Sequence, residues 1–384
     1  MLRPALFCCL LLGACRPADT FHSSCAPVVD SGTEPSRWTV TNVSLLDSSI
    51  TPLAGIVSLP GVPSHQSFAT FDRHRAELVR FDESGSIAGR FGRPGRGPGD
   101  ITPLDHYTAV SYTSRRRDWL TASGDTLHLL DGNAILDFDA SRGRLMGRRP
   151  LPDQIAQGVS LFPRETERLR LANGGYLLDV TTLRATPGRA KADDQRRFTI
   201  WQIDGEHASE RFSMTLPLPP RTRRGAMTLR THEARPHWDV VGPCLVVVDG
   251  GTPQLIVSKL DGSWRDTISI HAPLRAQPAN EDDAALLRSM NGAMDPLPDP
   301  TLAARIKRII TAPEGWVWLE LAQPEGLAPR VEILRVHITN GEQHLDTLPF
   351  FPSAFGPHGD MIGIDLDSLG VSWLRLATPS RNGS

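Results

Sequence analysis

The feature that most constrains the fold of this chain is a recurring unit of two strands and a turn. Each copy follows an apolar strand and contains a second strand, a turn rich in Asp, Asn and Gly, and a third strand. Such turns supply the positive φ angles that hairpins need. The complete copies occupy residues 76–92, 134–150, 198–214, 254–270 and 332–348, and a truncated copy occupies 370–377.

Repeats spaced in this way predict an all-β propeller, in which four-stranded sheets surround a central axis. The last copy lacks its outermost strand, whereas residues 37–46 alternate like a strand before the first copy. We therefore expect six blades over residues 37–378, closed by the amino-terminal strand pairing into the last blade. Two alternatives are a seventh blade, if residues 275–300 contain strands, and a β-sandwich or pair of smaller β domains.

The amino terminus predicts export and lipid anchoring. Arg3, an apolar run and the small residues Gly13 and Ala14 precede Cys15, as in a secretory signal peptide. The segment Leu12–Cys15 matches the bacterial lipobox, in which the cysteine is lipidated; the alternative is an ordinary signal peptide. Because Arg16 replaces the Asp that retains lipoproteins in the inner membrane, we expect the outer membrane.

The predicted domains follow from this assignment. Residues 1–14 form the signal peptide, 15–36 the lipidated cysteine and a flexible tether, 37–378 the propeller, and 379–384 a disordered tail. The formal net charge of −2 does not favour nucleic acid as a partner. We expect a monomer whose partners are the membrane and an envelope protein, peptide or glycan.

Two of the five cysteines remain after the signal peptide and the lipidated cysteine are set aside. These are Cys25 and Cys244, and an exported chain enters an oxidising compartment. A Cys25–Cys244 disulfide is therefore possible, and it would join the tether to the propeller.

A glycine-rich segment carries a family resemblance. The matching positions are Gly92, Arg93, Gly95, Gly97, Pro98, Gly99, Asp100 and Ile101. They resemble a loop found in bacterial six-bladed β-propeller lipoproteins related to NHL-repeat proteins, and residues 358–377 resemble the last blade of that family. The resemblance implies the fold but hardly the function, because a propeller does not determine activity.

The sequence contains no complete catalytic motif. Arg93 and Arg96 in the glycine-rich segment could contact an anion, although a structural turn is the simpler interpretation. Some propeller enzymes build a metal site in the central channel, and the residues that could do so here are Asp105, His106, His232, His237, His358 and Asp360. We expect a non-catalytic binding module without a cofactor; the alternative is a hydrolase or lyase with a divalent metal in the channel.

Overall fold

The structure is a computed structural model of the whole chain. It describes residues 25, 38–45, 57–59, 67–72, 75–82, 84–95, 97, 100–102, 119–155, 168–184, 195–216, 234–275, 305–322, 331–356, 360–366 and 372–379. The predicted signal peptide, Cys15 and most of the predicted tether lie outside these residues, as do Arg96, Asp105, His106, His232 and His358.

The described part of the chain consists almost entirely of antiparallel strands. Strand β1 (Trp38–Leu45) comes first and is followed by sheets whose strands are consecutive along the chain. The first contains β2 (Val57–Leu59), β3 (Ser67–Asp72), β4 (Glu77–Phe81) and β5 (Ile87–Phe91). The second contains β6 (Leu120–Ser123), β7 (Thr126–Asp131), β8 (Ala134–Asp139) and β9 (Arg144–Pro150).

Three more sheets repeat this order of four strands. The third contains β10 (Leu169–Ala172), β11 (Gly175–Arg184), β12 (Gln195–Asp204) and β13 (His207–Leu216). The fourth contains β14 (His237–Val241), β15 (Cys244–Val248), β16 (Gln254–Lys259) and β17 (Arg265–Ser269). The fifth contains β18 (Ile306–Thr311), β19 (Trp316–Leu321), β20 (Val331–His337) and β21 (Gln343–Leu348).

A further sheet combines the two ends of the described chain. It contains β22 (Ala354–Phe355), β23 (Met361–Leu366) and β24 (Ser372–Pro379), and β1 pairs with β24 in antiparallel register, Trp38 opposite Pro379. The first strands of neighbouring sheets contact one another from β22 through β2, β6, β10 and β14 to β18, so they face a common centre. The prediction of an all-β propeller is confirmed, and the alternative of a sandwich is wrong.

The recurring sequence unit forms the outer half of each of the first five sheets. Its complete copies correspond to the third and fourth strands, which are β4–β5, β8–β9, β12–β13, β16–β17 and β20–β21. Every connecting turn has a glycine at positive φ, as hairpin geometry requires. These glycines are Gly85 (82°), Gly143 (65°), Gly205 (59°), Gly262 (75°) and Gly341 (71°).

Buried strands of β-branched and aliphatic residues make up the core. In β15 all five residues, Cys244–Val248, are buried, and in β19 all six residues, Trp316–Leu321, are buried. A disulfide joins Cys244 to Cys25, whose side chain packs among the apolar residues of the fourth and fifth sheets. This bond ties a residue of the predicted tether to the propeller, 219 positions away in sequence.

A buried ion network lies at the centre, where the first strands meet. The guanidinium group of Arg168 donates to the carbonyl oxygens of Trp238 in β14 and Ile309 in β18. Asp239 accepts a hydrogen bond from Nε of Arg170 at 2.7 Å, and its other oxygen lies 3.5 Å from Arg168. That oxygen also accepts from the backbone N–H of Thr311 at 3.0 Å, so one carboxylate connects three sheets.

The substitution Asp239→Asn tests how much this network stabilises the propeller. The carboxylate side chain is 3% exposed, and its loss leaves Arg168 and Arg170 with a neutral partner in a poorly solvated place. We expect the free energy of unfolding in urea to fall by about 3–5 kcal/mol, as for other broken buried ion pairs.

The control is Asp261→Asn, which changes an exposed turn aspartate and should alter stability by no more than about 0.5 kcal/mol. If both variants unfold at the same urea concentration as the unsubstituted protein, the central network is not an important source of stability.

Candidate ligand-binding site

The described residues of the glycine-rich segment form an internally bonded turn. Arg93 Nε donates to a carboxylate oxygen of Asp100, whose other oxygen accepts from the backbone N–H of Gly97 at 2.8 Å. The hydrogen bond from Arg93, followed by that from Gly97, holds the pKa of Asp100 below its ordinary value. A Cβ on Gly95 would lie 2.2 Å from the Asp100 carboxylate, so the glycine is needed for this packing. In the structure the Arg93 side chain therefore stabilises the turn.

The residues proposed for a channel metal are only partly described. His237 begins β14 and Asp360 precedes β23. Among the described residues, no group of three or more His, Cys, Asp or Glu side chains is arranged to hold a metal ion. The guanidinium groups of Arg168 and Arg170 occupy the centre near β14, and their charge disfavours a cation in the same place.

A pocket of about 390 Å³ lies elsewhere, in the second sheet. It opens beside the turn between β6 and β7 and extends along one face of β7, β8 and β9. This volume lies in the range of small-molecule sites, about 300–1,000 Å³. Its lining residues are Ser123, Thr126, His128, Asp137, Met146, Gly147 and Arg149.

Four polar side chains meet on one wall of this pocket and behind it. His128 of β7 and Asp137 of β8 are cross-strand neighbours, and Nδ1 of the imidazole lies 2.7 Å from Oδ1 of the carboxylate. Arg149 of β9 donates to the other oxygen through Nε at 2.8 Å and Nη2 at 2.7 Å. The Tyr176 hydroxyl, from β11 of the next sheet, donates to Asp137 Oδ1 at 3.1 Å.

The network is buried and joins two sheets. His128 is 6% exposed and Asp137 4% exposed, whereas the Arg149 side chain reaches solvent. The rings of His128 and Tyr176 pack edge to face with centroids 5.3 Å apart, and the Arg149 guanidinium lies 5.3 Å from the Tyr176 ring centroid. The second and third sheets are thus connected through one carboxylate.

The charge on Asp137 is maintained by its partners. Burial by itself would raise the pKa of this carboxyl, but the hydrogen bond and charge of His128, together with Arg149, outweigh it and lower the pKa. Burial, followed by the negative charge of Asp137, raises the pKa of Tyr176 from 10.0 to about 12. Asp137 is therefore an ionised acceptor and Tyr176 a neutral donor near neutral pH.

This assignment determines the orientation of the His128 proton. Because Asp137 is ionised and can only accept, Nδ1 of His128 carries the hydrogen that points toward it. The other ring nitrogen, Nε2, is buried and has no hydrogen-bond partner within the described structure. Buried polar atoms are nearly always paired, so this nitrogen is an exception, but because it is buried a ligand in the pocket would reach it only if a neighbouring group moved.

The outer strand β9 shapes the pocket through a β-bulge. Gly147 pairs with Asp137 and Leu145 pairs with Phe138, so Met146 is the extra residue between them. A bulge redirects the side chain of the inserted residue. Met146 is 51% exposed and lines the pocket, and Gly147 beside it places no side chain over the Asp137 carboxylate.

None of the residues in this network was among the site residues predicted from the sequence. One signal could have found them. The fourth position of the recurring unit holds Val79, Asp137, Trp201, Val257 and Arg335 in successive complete copies. Asp137 is thus a carboxylate at a position that is buried in most copies, and such a residue requires partners.

One comparison with a solved structure supports the fold, and two structures of lower similarity are also found. A member of the DUF4221 family from Bacteroides vulgatus is 10% identical, with 89% of this chain and 98% of that chain covered and a TM-score of 0.53. A protein of Bacteroides fragilis designated as exported is 10% identical over 91% and 98% of the two chains, with a TM-score of 0.47. A calcium-binding regucalcin from Agrobacterium tumefaciens is 13% identical over 89% and 96%, with a TM-score of 0.46.

No protein-family model and no curated protein matches the sequence. At 10% identity the DUF4221 structure indicates the architecture alone. It supports a propeller but not the resemblance to the six-bladed NHL-repeat family that residues 92–101 suggested.

The raised pKa of Tyr176 makes alkaline stability a test of the network. A group whose pKa is higher in the folded state stabilises fully below its unfolded pKa, and the contribution disappears as pH rises through the folded value. We therefore expect stability to fall between pH 10.0 and about 12 as Tyr176 ionises beside Asp137. Ultraviolet titration should show one of the three tyrosines ionising late.

In the variant Tyr176→Phe the late phase should be absent, and the stability lost over this pH interval should be smaller. If the substitution instead removes a phase with an ordinary pKa near 10.0, Tyr176 ionises normally and the network is not formed in solution.

Proposed function

We propose that this protein is an exported, lipid-anchored β-propeller that binds a small ligand in the second-sheet pocket and does not transform it. The observation that carries this proposal is a pocket of about 390 Å³ whose lining includes the ion-paired Asp137 and Arg149 together with the hydroxyl groups of Ser123 and Thr126. A few convergent polar groups beside an apolar side chain, here Met146, are typical of small-molecule sites.

The arrangement of Asp137 and His128 also occurs in general-base catalysis, where a carboxylate orients an imidazole. A catalytic nucleophile would need to share a hydrogen bond with Nε2. Ser123 and Thr126 line the same pocket, yet Nε2 has no bond to either hydroxyl in the described structure. The geometry therefore favours recognition over nucleophilic chemistry.

The anchoring part of the proposal depends on the sequence. Cys15 follows a short apolar run and the small residues Gly13 and Ala14, as lipidation requires. The described residues include no helix that is long and apolar enough to cross a membrane. Two acyl chains are sufficient for stable attachment, and Arg16 favours the outer membrane. The pairing of β1 with β24 supports a ring of six blades closed by the amino-terminal strand.

The pocket can be blocked without changing the fold. Gly147 lies in an outer strand, and a Cβ built there would be 3.7 Å from the Asp137 carboxylate, an ordinary contact. The substitution Gly147→Val should therefore fill the pocket and preserve β9. In a screen of small neutral, anionic and peptide-like compounds by ligand-observed NMR, compounds bound by the full-length protein should lose binding in this variant.

The chain offers a matched control. Gly89 occupies the position in the first complete copy of the repeat that Gly147 occupies in the second, and a Cβ there would have only the end of the Arg80 side chain at 4.0 Å. Gly89→Val should leave binding unchanged, and recovered ligands should be chemically intact. If Gly147→Val abolishes the binding of no compound, the pocket is not a ligand site; if ligands are converted, the protein is an enzyme.

The anchor is tested separately by Cys15→Ser. In bacteria that produce the full-length chain, the unsubstituted protein should incorporate labelled palmitate and sediment with the outer-membrane fraction. The variant should incorporate no label. Labelling that persists in the variant would place the lipid on another residue, and absence of label in both proteins would leave an ordinary signal peptide as the explanation of the amino terminus.

A further inference from the structure

In each of the first five sheets, the turn between the first and second strands lies at the same end as the turn between the third and fourth, because antiparallel strands alternate in direction. We infer that this end, here called the turn end, faces the membrane and that the Cys25–Cys244 disulfide holds it there. The inference rests on the lipid anchor proposed above and adds which surface of the propeller meets the lipid.

The disulfide fixes the amino-terminal part of the chain to the turn end of the fourth sheet. Cys244 is the first residue of β15, and it pairs with Val241 of β14 and with Lys259, the last residue of β16. A Cβ on Gly242, in the turn between β14 and β15, would lie 3.4 Å from the carbonyl oxygen of Cys25. The backbone of Cys25 therefore lies against this turn.

The start of β1 lies at the same end. Trp38 pairs with Pro379, the last residue of β24, which is the third strand of its sheet counted from the centre. In the other sheets the third strand ends at the turn that leads into the fourth strand, so Trp38 occupies the place of that turn. The chain therefore meets the turn end twice, at Cys25 and again at Trp38.

The number of residues between the lipid and the disulfide limits how far the propeller can lie from the membrane. Cys25 follows Cys15 by ten residues, so this anchor segment spans at most about 35 Å when fully extended. A flexible chain of ten residues has a root-mean-square span of about 17 Å. Without the disulfide the first fixed point would be Trp38, and the two spans would be about 80 Å and about 26 Å.

An anchor segment of this length favours the turn end over the opposite end of the propeller. Strand β16 has six residues, which cover about 20 Å at about 3.4 Å each, so the two ends of the fourth sheet are about that far apart. If the opposite end faced the lipid, the chain from Cys25 would have to run along the sheet as well as reach the bilayer. That path approaches full extension and costs conformational entropy, whereas the turn end allows a relaxed chain.

Charge attraction does not explain this orientation. The turns between third and fourth strands carry a carboxylate in four of the five complete hairpins, namely Asp82, Glu206, Asp261 and Glu342. Carboxylates are not attracted to anionic headgroups, and exposed charges act only over about 8–10 Å at physiological salt. The covalent connection through the disulfide therefore determines which end faces the lipid, and the orientation should not depend on salt.

The test places a fluorescent donor at either end of the fourth sheet and measures energy transfer to a labelled lipid. Ser263 lies in the turn between β16 and β17, Thr252 lies in the turn between β15 and β16, and both are exposed. Each is replaced in turn by an azide-bearing amino acid, so that labelling does not involve cysteine. The full-length lipidated chain is then bound to phosphatidylcholine vesicles that contain a rhodamine-labelled lipid.

We expect stronger energy transfer from position 263 than from position 252. The difference should correspond to a distance from the bilayer that is shorter by up to about 20 Å, the length of the strand between the two ends. It should persist in about 1 M sodium chloride, where charges are screened within about 3 Å.

Two insertions of equal length provide the matched pair that tests the disulfide. Inserting about twenty Gly and Ser residues between Cys15 and Cys25 raises the root-mean-square span to about 30 Å, so the difference between the two donor positions should shrink. The same insertion between Cys25 and Trp38 leaves the anchor segment unchanged, so the difference should remain. Mass spectrometry without reduction should show the disulfide in both proteins.

The outcomes separate this inference from the anchor on which it rests. Equal transfer from both positions, or stronger transfer from position 252, would overturn the inference and leave the anchor in place. An effect of the insertion after Cys25, or none of the insertion before it, would overturn the role of the disulfide. Cys15→Ser should give no transfer, and if the unsubstituted protein gives none either, the anchor and the inference both fail.

Discussion

The arrangement of the sheets depends most on the hydrogen bonds and ion pairs of the Asp239 carboxylate. First strands that meet at a centre bring backbone groups and side chains from different sheets close together, and only a polar network can satisfy them. Asp239 accepts hydrogen bonds from Arg170 and from the backbone of Thr311, while Arg168 reaches the carbonyls of Trp238 and Ile309. Charge and hydrogen bonding thus set how the third, fourth and fifth sheets fit together.

Because arginine side chains occupy the centre, they also affect which part of the propeller can bind a ligand. Propellers commonly use the axis for binding, but here the guanidinium groups near β14 are already committed to carbonyls and to Asp239. The candidate ligand-binding site lies in the second sheet instead. Its buried carboxylate, Asp137, requires partners, and the side chains that supply them, His128, Arg149 and Tyr176, lie in the wall of the pocket or behind it. A departure from the repeat therefore generates the candidate site.

Much of the fold could be predicted because its causes are local. The turns at Gly85 and Gly143 have the positive φ that their sequence requires, and each complete copy of the unit forms an outer hairpin. The candidate site could not be predicted in the same way. His128 precedes the second copy and Tyr176 follows it by many residues, and neither has a distinctive neighbouring sequence. Their contact exists only because neighbouring sheets pack face to face.

The sequence by itself therefore determined the all-β architecture, the boundaries of the repeated hairpins and the composition of their turns, because backbone geometry and hydrophobic alternation act over a few residues. It also placed charged residues, Asp137 and Arg335, at a repeat position that is apolar in the other complete copies. Only the tertiary structure decided which side chains form hydrogen bonds with the Asp137 carboxylate. The proton position of His128 and the elevated pKa of Tyr176 arise from groups on different strands, and electrostatic interactions depend on distance in space.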